Sequence, residues 1–209
     1  MVFDLVRPLG AERGELEVNN LMRRIGNEWL WAPEIEYAFA DGYSVELELP
    51  FESDRLAEYK AALQGTIGTH LRGRLIHGWQ WIGIRASGAP HWSTDALYLA
   101  GYQIDRRWSV FSMTGVRHLR AGAYRQNLGL HNPSLFVLIN KRVTLGFENN
   151  FAWGTRDQKQ RMHMPQMHLQ LSKNNLLQFG YGWEKAGSGS GAPVMGFRLV
   201  RQLRGAIED

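Results

Sequence analysis

From Glu34 to Leu49 the chain alternates acidic and apolar side chains on either side of one Asp-Gly, and a period of two excludes a helix there. Ile35, Tyr37 and Phe39 share one face, and across Asp41-Gly42 so do Tyr43, Val45, Leu47 and Leu49. Glu34, Glu36, Glu46 and Glu48 take the other face. A loop of Asp41-Gly42 alone would set Tyr37 opposite Glu46 and mix the faces. A loop of Ala40-Asp41-Gly42 sets Phe39 opposite Tyr43, Tyr37 opposite Val45 and Ile35 opposite Leu47. One face must be uniformly apolar, so the second register is expected, with Gly42 left-handed. Glu36 then lies opposite Glu46, and Glu34 opposite Glu48.

The same period returns later. Val143, Leu145, Phe147, Phe151 and Trp153 alternate with Arg142, Thr144, Gly146, Glu148 and Asn150. Met167, Leu169 and Leu171 alternate with Gln166, His168, Gln170 and Ser172. Leu177, Phe179, Tyr181 and Trp183 alternate with Gln178, Gly180, Gly182 and Glu184. In Met195–Leu203, Met195, Phe197, Leu199 and Leu203 oppose Arg198 and Gln202, while Arg201 breaks the apolar row near a rim. Trp79–Arg85, Leu97–Ile104 and Trp108–Val116 are strand-like but carry apolar residues on both faces. Small residues there (Gly83, Ala100, Gly101, Gly115) mark a crowded wall.

Tight turns are expected at Asp41-Gly42, near Gly73, and at Asp105-Arg106, Asn140-Lys141 and Asn174-Asn175. Longer polar loops are expected near Ser87–His91, Arg120–Pro133, Gly154–Met162 and Ala186–Pro193; the last holds the Gly-rich run Gly187–Gly191, a surface loop. Short turns on one rim and long loops on the other are a property of transmembrane barrels. The count is about twelve strands, with ten or fourteen as the alternatives. The expected fold class is all-β: an antiparallel up-and-down transmembrane β-barrel, both termini on the periplasmic rim.

Composition supports that choice over a soluble barrel with its apolar face inward. The polar faces hold carboxylates, amides and glycine but rarely lysine, whereas a solvent-facing surface is usually rich in lysine. Trp29, Trp31, Trp92, Trp108, Trp153 and Trp183 gather near strand ends, as interfacial girdles do. Mean hydropathy is −0.33 despite an 11% aromatic share, because only alternate strand residues face lipid. No apolar run approaches the roughly 18 residues of a membrane helix; one of the longest is Leu135–Ile139.

A single barrel domain over residues 1–209 is expected, with a periplasmic lead-in at 1–13 and a short tail at 204–209. Met1–Pro8 lacks the basic region and apolar stretch of a signal peptide, so the expectation is a mature form with an added Met, or a true start further upstream, with a protein that is never exported as the alternative. With no cysteine, thiol catalysis and thiolate metal sites are excluded. The net charge of +4 is scattered, without the basic stripe a nucleic-acid binder needs.

The stretch Trp31–Pro50, Gly14-Glu15-Leu16-Glu17-Val18 before it and Tyr59-Lys60 after it resemble the bacterial outer-membrane β-barrel proteins known as phenol meta-cleavage pathway transporters. The likeness covers about the first 70 residues. It implies residence in the outer membrane of a Gram-negative bacterium and passage of small, often hydrophobic compounds. Outer-membrane lipid and the barrel-assembly machinery are then the expected partners. It supplies no catalytic residues. The ending, Arg204–Asp209, departs from the aromatic terminus usual in such barrels.

The expected lumen-lining residues are Glu34, Glu36, Glu46, Glu48, Lys60, Arg142, Glu148, His168, Gln170, Gln178, Glu184 and Arg198. Four close carboxylates must be balanced, and Arg72, Arg74, Arg142 and Arg198 are the candidate partners. Two readings stay open: an acidic lining that selects cations or holds a metal, and ion pairs that brace the wall. Met162-His163-Met164-Pro165-Gln166-Met167-His168 has copper-ligand chemistry, but alternation splits its side chains between two faces. A lipid-facing strand end accounts for the methionines. His91-Trp92-Ser93 with Asp95 has the residue types of a hydrolase triad, but shares a face only if fully extended. No enzyme, cofactor or metal is therefore expected. The function expected is a channel or passive transporter for small solutes. The alternatives are a structural barrel with a plugged lumen, and a soluble ligand-binding barrel.

Overall fold

The computed structural model describes residues 9–121, 124–154 and 159–204. The first eight residues, about which the signal-peptide expectation turned, and the tail beyond Arg204 lie outside the described residues. Fourteen strands follow in chain order: β1 (Leu16–Ile25), β2 (Glu28–Ala40), β3 (Tyr43–Glu48), β4 (Phe51–Glu52), β5 (Arg55–Leu56), β6 (Glu58–His70) and β7 (Leu75–Ala86). Then come β8 (Ser93–Gln103), β9 (Trp108–Ala121), β10 (Tyr124–Asn140), β11 (Val143–Gly154), β12 (Lys159–Ser172), β13 (Asn175–Ala186) and β14 (Ala192–Arg204). Among the described residues there is no helix.

All pairings are antiparallel, and β1 pairs with both β2 and β14, closing the sheet. β4 continues β3 against β2 beyond a break at Leu49-Pro50, and β5 folds back on β4. The wall therefore has twelve strands. The turns that follow β2, β6, β8, β10 and β12 define one rim, the turn side; the remaining connections define the loop side.

Side-chain chemistry fixes the turns. Gly42 is left-handed (φ 75°), and β2 and β3 take the apolar-face register: Ile35 faces Leu47, Tyr37 faces Val45, and a bulge beside Phe39 sets Ala40 against Tyr43. Asp105 Oδ1 accepts the backbone N–H of Arg107 (2.7 Å) and Trp108 (2.8 Å), which holds its carboxyl below the usual range. Asn140 Oδ1 accepts those of Arg142 (2.8 Å) and Val143 (3.1 Å).

The apolar rows face outward. Leu145, Phe147 and Phe179 are 42%, 42% and 41% exposed, so they ring the barrel instead of filling it. All six expected girdle tryptophans are exposed on this surface; five sit toward the loop side and Trp108 toward the turn side. Trp79 and Trp153 lie flat because each faces a glycine, Gly65 and Gly129, where an added Cβ would meet the indole at 2.7 Å and 2.5 Å.

Three expectations need correction. Arg120–Pro133 is not a loop: β9 and β10 stay paired to Ala121–Tyr124. Its polar residues fall on both faces, which hid the period. Likewise Lys159–Met162 opens β12 and is not loop. Met162 and Met164 do not face lipid; they are buried inside with Val194, against Leu21 and Ile25.

Candidate functional site

The interior is not uniformly polar. Ala62, Ile82, Leu97, Leu99, Phe111, Met113 and Leu130 form an apolar cluster on the inner face of β6–β10. The segment before β1 joins it. Leu9 packs on the cluster, Gly10 N–H donates to Thr66 Oγ1 (2.9 Å), and Gly42 N–H donates to the Ala11 carbonyl (2.7 Å). Beside this cluster lies a cavity of about 490 Å³.

One wall of the cavity is acidic. Even-numbered residues of β2 and β3 face in, which brings Glu34, Glu36, Glu46 and Glu48 together in opposed pairs. Glu52 and Glu58 extend the wall toward the loop side. One oxygen each from Glu34, Glu46 and Glu48 lies within 4.8 Å of the others, a spacing at which a hard cation could find ligands. Two cations already balance part of this charge. Arg198 Nη2 donates to Glu34 Oε1 (2.7 Å) from β14, and Lys60 Nζ donates to Glu48 Oε1 (3.3 Å) from β6. Asn19 Nδ2 also donates to Glu34 Oε1 (2.6 Å).

Basic side chains face this wall from β1 and β9. Arg117 holds the fully buried Asp95 through two bonds, of 2.7 Å and 2.6 Å. Arg23 pairs with Glu184, whose other oxygen accepts Gln160 Nε2 (2.6 Å). Arg120 completes the basic side. Together with Asp95 and Glu184, the six glutamates of the lining outnumber its five lysine and arginine side chains by three. The apolar side chains Ile82, Ile84, Leu99 and Met113 line the same space.

Of the twelve residues expected in the lumen, Glu34, Glu36, Glu46, Glu48, Lys60 and Arg198 line this cavity. Glu184 borders a smaller one beside it. Glu148, His168 and Gln178 face inward but are packed among neighbours: Glu148 accepts from Asn150 (2.7 Å) and Gln166 (3.1 Å), His168 Nε2 meets Gln166 Oε1 (2.9 Å), and Gln178 is fully buried. Gln170 caps the β12–β13 turn by donating to the Ser172 carbonyl (2.6 Å). Arg142 sits exposed in the β10–β11 turn, away from the lumen, because the turn displaces it from the strand row. Arg72 and Arg74 are also turn residues; Arg74 donates to the carbonyls of Gln103 and Ile104. Of the four proposed arginine partners only Arg198 reaches the glutamates.

Sequence reasoning did not place Asn19, Arg23, Asp95 and Arg117 in the lumen. The last two stand on β8 and β9, whose inner rows are mostly apolar, so no polar row announced them. The other sequence candidates are bonded elsewhere among the described residues. Ser93 Oγ accepts the Arg120 N–H (3.0 Å) and Asp95 is bound to Arg117. His163 points outward to Asn149 (2.7 Å), away from the buried Met162 and Met164.

A closed antiparallel barrel with an apolar outer belt and a charged, hydrogen-bonded lumen defines the fold class, that of outer-membrane β-barrels. Neither a protein-family model nor a curated protein matches the sequence. Solved structures do match in fold. The chain is similar to the NanC porin (TM-score 0.73, 8% identity, 90% of this chain and 100% of that one). It is similar also to the KdgM porin (0.70, 9%, 90% and 99%) and to an outer-membrane channel from Pseudomonas putida F1 (0.67, 10%, 96% and 99%).

Proposed function

We propose that this chain resides in the bacterial outer membrane and passes small solutes, favouring cations over anions. The observation that carries the reading is the cavity wall of Glu34, Glu36, Glu46 and Glu48, in a lining where acids outnumber bases. Opposing it with Arg117 and Arg120 produces a field across the lumen, and charged rings of this kind set ion preference. The apolar side chains bordering the cavity also accept a solute with an apolar body. That agrees with the likeness of Trp31–Pro50 to phenol meta-cleavage transporters. An acidic lining disfavours a polyanion such as the oligogalacturonate found in complex with KdgM.

The test is conductance of refolded protein in planar bilayers under a salt gradient. Wild type is expected to show a cation-selective reversal potential, and E46Q/E48Q to move it toward zero. A sealed barrel in wild type refutes the reading. One observation favours a second reading, a structural barrel with a plugged lumen: Leu9 packs inside the barrel on the apolar cluster of β6–β10. In that case E46Q/E48Q changes thermal stability and leaves permeability untouched.

A further inference from the structure

On the outer face of β12 and β13, Arg161 and Lys185 are direct cross-strand partners. Lys159 stands two residues along β12 on the same face. Like charges placed directly opposite destabilise a sheet. Among the described residues none of the three makes an ion pair, a hydrogen bond from its side chain or a stacking contact, and no carboxylate shares this face of β11–β13. Other loop-side arginines are differently placed. Arg24 lies over Trp29 (5.5 Å), and Arg85 lies between Tyr59 (5.0 Å) and Trp92 (5.3 Å).

The height of the pair is informative. Outward residues of β12 run Leu171, Leu169, Met167, Pro165, His163 and then Arg161. Ten residues at about 3.3 Å, tilted by about 40°, rise about 25 Å, the height of the apolar band of such barrels. Arg161 and Lys185 therefore emerge where hydrocarbon gives way to headgroups. Trp153 and Trp183, 48% and 44% exposed, flank them at that level. The loop side is the outer leaflet if the chain is an outer-membrane barrel, so the inference rests on that reading.

We infer that Arg161 and Lys185, with Lys159, form a binding site on the outer wall for the phosphates of the outer-leaflet glycolipid, lipid A. Three cations on one outer face, with no anion beside them among the described residues, suit a phosphorylated headgroup, and the tryptophans beside them accept the start of its acyl chains. A phosphate between Arg161 and Lys185 also removes the repulsion built into the pairing.

The experiment uses the full chain refolded into neutral phosphatidylcholine vesicles, titrated with lipid A and followed by its heat-unfolding midpoint. Wild type is expected to rise in midpoint. In R161Q/K185Q the lipid A concentration for half the rise is expected to increase about a hundred-fold, since each of the two lost charge-assisted contacts weakens binding by about ten-fold. K141Q/R142Q, on the opposite rim, keeps the wild-type response, and dephosphorylated lipid A produces no rise. Without lipid A, R161Q/K185Q is expected to be at least as stable as wild type, because a repulsion has been removed. An undiminished response in R161Q/K185Q, or an equal response to dephosphorylated lipid A, overturns the site. So does a loss of stability in neutral vesicles. Insertion into neutral vesicles without any lipid A response overturns the site alone; a chain that stays monodisperse in plain buffer and never inserts overturns the membrane reading and the site with it.

Discussion

Phe147→Arg puts the orientation of the wall to a quantitative test. Phe147 points outward from β11, between Val143 near the turn side and Trp153 near the loop side. At about 2.5 Å of height per residue in a tilted strand, it stands about 10 Å above Val143 and about 15 Å below Trp153. That is within a few ångströms of the mid-plane of the apolar band. A guanidinium at the mid-plane of such a barrel costs about 2–4 kcal/mol, falling to about 0–1 kcal/mol near the interfaces. Phe147→Arg is therefore expected to destabilise by about 3 kcal/mol and Val143→Arg by under about 1 kcal/mol. Reversible urea unfolding from phosphatidylcholine vesicles, followed by the fluorescence of the eight tryptophans, measures both. Equal losses at the two positions, or a Phe147→Arg protein within about 0.5 kcal/mol of wild type, would refute a lipid-facing row graded by depth.

Two further outcomes follow from named contacts. Arg198→Met removes the buried cation beside Glu34 and leaves Glu46 and Glu48 facing it, so a loss of about 3–5 kcal/mol is expected in the same unfolding assay; Glu34→Gln/Arg198→Met should recover part of it, and Arg142→Gln should be near neutral. Asp105 is held below its ordinary value of 3.8 by two backbone N–H groups, so its ionised form stabilises the β8–β9 turn. The stability gap between wild type and Asp105→Ala should be full above the ordinary carboxylate range and shrink as pH falls through the depressed value; a gap that grows with acid in a pH series of unfolding midpoints contradicts the turn geometry.

Legibility in the sequence followed the membrane itself. Where lipid bathes one face and polar side chains fill the other, as in β2, β3, β11 and β13, the alternation named the strands and even the register of the Glu34–Glu48 hairpin. Where β9 and β10 carry polar groups on both faces, as at Arg125, Gln126 and Asn127, the contrast between faces vanished, and strand was taken for loop. The acidic wall was visible because its four glutamates sit in one hairpin, close in sequence. Which of the four candidate arginines balances it was not, because Arg198 reaches Glu34 from a strand distant in sequence, and only closure of the sheet puts the two within 2.7 Å. Met162 and Met164 were misplaced for a related reason: an apolar side chain on the inner row looks the same, residue by residue, as one meant for lipid.

The seam between β1 and β14 has a consequence for how such a chain comes into being. Leu21 pairs with Arg198, and Asn19 with Val200, so the first rung of the wall waits for residues far along the chain. Until then both margins of the sheet are bare, with rows of unsatisfied amides ready to join any neighbouring strand. Long-range closure of this sort is slow. A product cut short anywhere before Ala192 has no way to shut, which makes truncation a far more severe lesion here than any single substitution.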